Sequence, residues 1–85
     1  MQSTNTEFIK AIAEDWLECE CRNHPEACGF ALTDRDGRNL DNNPELWIER
    51  LYRCNQCGLI VDHSTIDLDA QTVRVVGRVA PPFDD

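Results

Sequence analysis

The chain has 85 residues, 16 acidic against 8 basic side chains and a formal charge of −8. A single domain of this length buries too little apolar surface to be secure without a disulfide or a metal. Its charge argues against free DNA or RNA as a partner, because nucleic-acid affinity comes largely from Lys and Arg neutralising phosphates.

Residues 5–19 read as an amphipathic helix. Thr4, Asn5 or Thr6 can cap it, Thr4 and Glu7 have capping-box spacing, and Phe8, Ile9, Ile12, Ala13, Trp16 and Leu17 recur at helical intervals. The simplest role for that stripe is to face a core. Residues 30–33 read as a short strand, and 34–38 as a turn in which Gly37 is free to take positive φ. A polar loop at 41–45 precedes a strand expected over 46–53, and a second strand over 59–66 makes a hairpin with it. Residues 67–71 form a turn. The run 72–79 alternates cleanly, with Val73, Val75, Gly77 and Val79 on one face. The tail, 80–85, carries two prolines that cannot continue a sheet and reads as a flexible acidic end. No window approaches the ~18 apolar residues of a membrane span, so a soluble chain with no membrane partner is expected.

Five cysteines, an odd number, cannot all pair in disulfides, and the N-terminus has neither the basic start nor the apolar run of a secretory signal. A reducing, cytoplasmic setting is expected, where clustered cysteines point to zinc. Cys54, Cys57 and Gly58 fit a zinc knuckle: two thiolates clasp the ion, and a glycine after the second lets backbone N–H groups aim at the sulfurs. Cys28 and Gly29 repeat the second half of that pattern.

The two clusters, each ending in Cys-Gly before a strand, resemble a zinc ribbon over roughly residues 21–66. The chain departs from that fold group in having one tight cysteine pair where two are usual. The expected ligands are Cys21, Cys28, Cys54 and Cys57, with Cys19 and His24 as alternates for the fourth place. A pair formed by Cys19 and Cys21, with Cys28 free, is a further arrangement. His63 lies within reach of the ion, although a lone strand histidine is more simply half-exposed. A redox dithiol at Cys54 and Cys57 fits poorly, since such pairs open a helix and here a strand follows. The expected fold is therefore α+β: one N-terminal helix on a small antiparallel sheet, with a zinc-ribbon-like site within 20–66.

Three functional readings arise. A lysine-poor acidic surface including Glu14, Asp15, Glu18, Asp62, Asp67 and Asp69 suits a protein partner with a basic surface. In size and charge the chain resembles small phage-encoded inhibitors such as anti-CRISPR proteins, which implies an inhibitor or adaptor. The second reading is a regulator that touches nucleic acid, RNA polymerase or the ribosome through Arg50, Arg53, Arg74 and Arg78. The third rests on His24, Glu26, Cys54 and Cys57, which resemble the outline of zinc deaminases. The chain lacks that family's proline before the first cysteine and the length for its sheet, and no other catalytic motif is present, so no enzymic activity is expected.

Overall fold

In the computed structural model, which describes residues 7–83, the segment expected to be helical is a β-hairpin. Strand β1 runs Glu7–Ala13, a turn occupies Glu14 and Asp15, and β2 runs Trp16–Glu18. The N-terminal helix of the α+β expectation is thereby corrected: the fold is a curled antiparallel half-barrel. The proposed caps at Thr4, Asn5 and Thr6 lie outside the described residues. The apolar positions that recur at helical intervals are equally compatible with two short strands around a two-residue turn. Ile9 and Ala11 then point inward, while Phe8, Lys10 and Ile12 face solvent. Tertiary pairing decides between the periods. β1 pairs with the edge of the C-terminal strand, Phe8 opposite Arg74 and Ile9 opposite Val73, which satisfies a backbone edge that a helix would leave open.

The remaining strands are β3 (Phe30–Thr33), β4 (Leu51–Cys54), β5 (Leu59–Asp67) and β6 (Thr72–Arg78). They form one six-stranded sheet in the order β2-β1-β6-β5-β4-β3, with every neighbouring pair antiparallel. The strand expected over 46–53 is shorter and later than its composition suggests. Pro44–Leu46 make a single 3-10 turn, and Trp47 Nε1 donates to Leu51 O at 2.9 Å, so the chain enters the sheet only at Leu51. Among the described residues no helix is long and apolar enough to cross a membrane.

The concave face carries the core: Ile9, Ala11, Leu17, Cys19, Cys54, Leu59, Val61 and Val73 are all buried. Alternation puts Ala31, Arg53 and Ile60 on the opposite face of β3, β4 and β5, and they too are buried. Arg53 is 1% exposed; its Nη1 donates to Gly37 O at 2.7 Å and its guanidinium lies 4.0 Å from the centre of the Phe83 ring. Phe83, in the tail segment 80–83, therefore supplies an aromatic cover for a buried charge. Asp84 and Asp85 lie outside the described residues.

Candidate metal centre

An extended chain places residues i and i+2 on the same side. That alternation turns Cys19, just past the end of β2, the same way as the buried Leu17, and the tight turn that follows carries Cys21. The chain then reverses: Arg22 N donates to Cys19 O at 2.8 Å, Arg22 adopts φ 75°, and Cys19 N donates to Asn23 O at 2.9 Å. From the other side come Cys54, the last residue of β4, and Cys57 in the turn before β5. Gly58 N donates to Cys54 O at 3.0 Å. Gly58 has φ +85°, and a Cβ there would sit 1.8 Å from Val79 O, so only glycine fits this turn.

The four thiols converge. Cys19 Sγ lies 3.5 Å from Cys57 Sγ and Cys21 Sγ 3.5 Å from Cys54 Sγ, and all four sulfurs lie within 4.8 Å of one another. They are placed to hold one metal ion. The position matters as much as the chemistry. β2 is the first strand of the sheet and β4 the fifth, so the two are not neighbours in the hydrogen-bond ladder. An ion held here closes the curl of the half-barrel where the backbone does not.

The electrostatics of the centre are uneven. Burial by itself pushes the Cys54 thiol up, but N–H groups of Cys57 and Gln56 and the side chains of Asn23 and Cys21 outweigh it, bringing Cys54 to about 7. Burial raises the Cys19 and Cys57 thiols above their ordinary value, and the neighbouring sulfurs add to the effect at Cys19. Cys54 is thus poised to be a thiolate near neutral pH, and an incoming cation must displace protons from Cys19 and Cys57.

The expected ligand set and the observed cluster differ at one place. Cys21, Cys54 and Cys57 are joined by Cys19, which stood among the alternates. Cys28 is exposed, with its sulfur 3.6 Å from Gln56 Oε1, and lies outside the group of four. His24, the other alternate and the histidine of the deaminase outline, stacks on Trp16 at 5.6 Å between ring centres; its Nδ1 accepts from Glu26 N. His63 is turned the other way, donating from Nε2 to Glu14 O at 2.6 Å.

Asn23 was not singled out by sequence. It is fully buried; its Oδ1 accepts from Cys28 N at 2.9 Å and Gly29 N at 3.1 Å, while Nδ2 reaches Gly29 O at 2.7 Å and Cys54 Sγ at 3.1 Å. The Cys28-Gly29 turn is therefore organised around an amide side chain, not around the ion. Only a short group with both a donor and an acceptor can do this. Asn23→Leu, of similar size but without polar atoms, leaves Cys28 N–H without its acceptor and Cys54 Sγ without its amide donor, while Gly29 keeps its bonds to His24 O and Asn55 N. The expected cost is about 2 kcal/mol. Urea denaturation of the metal-loaded protein should show a lower midpoint at an unchanged slope.

Of the acidic residues expected to meet a partner, Glu14 and Asp15 lie in the β1–β2 turn, and Glu14 shares a shallow depression with Asp67 and Asp69 of the β5–β6 turn. Glu18 accepts from Trp16 Nε1, and Asp62 accepts from the backbone and hydroxyl of Ser64. Comparison of the chain with protein-family models, with curated proteins and with solved structures found no match.

Proposed function

We propose that the chain is a non-enzymic protein-interaction module, stapled by a structural zinc ion, that docks on a partner with a basic surface as an inhibitor or adaptor. The observation that carries the reading is the four-thiol centre itself. Four sulfurs around one ion leave no open position for a substrate, which is the mark of structural and not catalytic zinc. A tetrahedral zinc with Zn–S near 2.3 Å separates its sulfurs by about 3.8 Å, so the observed spacings need only small adjustment. An all-thiolate set favours zinc over the harder divalent ions.

The surface supports the rest. A zinc ion held by four thiolates is itself a dianionic centre, adding to a chain already at −8. Of the arginines that a nucleic-acid reading needs, Arg53 is buried, Arg78 pairs with Glu20 and Arg50 lies over Trp47, while Arg74 is exposed on β6. Arg35 and Arg38 pair with Glu49 and Asp34. These pairings place a carboxylate beside Arg35, Arg38 and Arg78 and so lower the positive charge that could face phosphates. Titration of the zinc-loaded chain with an arginine-rich peptide and with duplex DNA separates the readings. Binding of the peptide, weakening as salt is raised, is expected, with none of the DNA. Binding of DNA in preference to the peptide would overturn the proposal.

A further inference from the structure

The hairpin that replaces the expected helix creates a cavity. The β1–β2 turn curls over the sheet and is held there by the bond from His63 on β5 to the backbone of Glu14. Beneath it lies a pocket of about 290 Å³, lined by Glu14, Asp15, Leu17, Phe30, Tyr52 and His63 together with Pro25 and Gly29. Its walls are the half-buried rings of Phe30 and Tyr52, and the His63 ring packs edge-on against Tyr52 at 5.4 Å. Glu14 and Asp15 are exposed at its open side, and neither carboxylate has a side-chain partner among the described residues.

We propose that this pocket receives one arginine side chain of a protein partner. Its volume is at the low end for small-molecule sites and enough for one long side chain. Aromatic faces attract a cation through the ring quadrupole, and two adjacent carboxylates complement its charge. Arginine suits the site better than lysine, because its planar guanidinium stacks on a ring while its fork reaches a carboxylate. The site deepens the reading given above and rests on it: it names where, on a chain with a generally acidic surface, the basic partner is gripped. It also lies between the two parts that the thiols draw together, since Leu17 precedes Cys19 and Tyr52 precedes Cys54 on the same strands or their immediate exits.

The test uses the zinc-loaded full chain and a short Ala/Ser peptide carrying a single arginine, followed by heteronuclear NMR. The expected result is that resonances of Gly29, Phe30, Tyr52 and His63 shift on titration, and that the same peptide with citrulline in place of arginine moves none of them. Glu14→Gln with Asp15→Asn, both exposed and isosteric, should weaken binding about tenfold, equivalent to about 1.4 kcal/mol. Asp36→Asn with Glu45→Gln, both exposed and neither lining the pocket, removes the same charge and should change it less than about twofold. Equal losses in both pairs, or shifts confined to another surface, would overturn the pocket and leave the basic-partner reading standing. Free arginine amide binding as tightly as the peptide would make this a small-molecule site and overturn the assignment to a protein partner. Failure of the single-arginine peptide and of an arginine-rich peptide alike would remove both proposals.

Discussion

Removing the metal is expected to unfold the chain. A structural zinc contributes on the order of 10–16 kcal/mol to the folding of a small domain at neutral pH, whereas the whole stability of 85 residues is about 4–13 kcal/mol. The loss would fall on the joint that most needs it. With the ion gone, the β2 exit and the β4–β5 turn are no longer drawn together, and the core residues Cys19 and Cys54 lose the bonds that fix them. Elemental analysis of untagged protein should find one zinc per chain. A chelator should then abolish the near-UV signal of Trp16 and Trp47 and the dispersion of the amide spectrum, and added zinc should restore both. A chain that keeps its cooperative melting transition after stoichiometric metal removal would count decisively against a folding role for the centre.

The second large effect separates the two cysteine sets. Cys19→Ser is expected to cost roughly 3 kcal/mol, about a quarter of the metal's contribution, because a serine hydroxyl is a poor ligand at neutral pH. Cys28→Ser should change stability by less than about 0.5 kcal/mol, as an exposed position away from the ion. Thermal melts of the two single variants, each with its zinc content measured, decide the matter. The reverse pattern would place Cys28 at the ion and require the 19–28 loop to adopt another course.

Much of this chain was legible from its residues. The Cys54-Cys57-Gly58 turn was readable because it is local: two thiols and a glycine within five positions fix their own geometry. The same holds for β3, for the hairpin partner β5 and for β6, whose alternating valines and flanking turn residues define them without help from elsewhere. The acidic charge needs no fold at all.

What the sequence could not decide are the features fixed by contacts distant along the chain. The apolar run from Phe8 to Leu17 fits a helix and a hairpin alike, and only the open edge of β6 selects the strand pairing, through Ile9 opposite Val73 and its neighbours. The fourth thiol was likewise undetermined. Cys28 followed by glycine looks like half of a knuckle, yet the buried amide of Asn23 captures that turn, while the left-handed residue at Arg22 carries the chain from Cys21 into Asn23. The pocket under the β1–β2 turn exists only because that hairpin curls across the sheet. Local chemistry named the kind of site. Long-range pairing chose which cysteines build it and which surface stands open beside it.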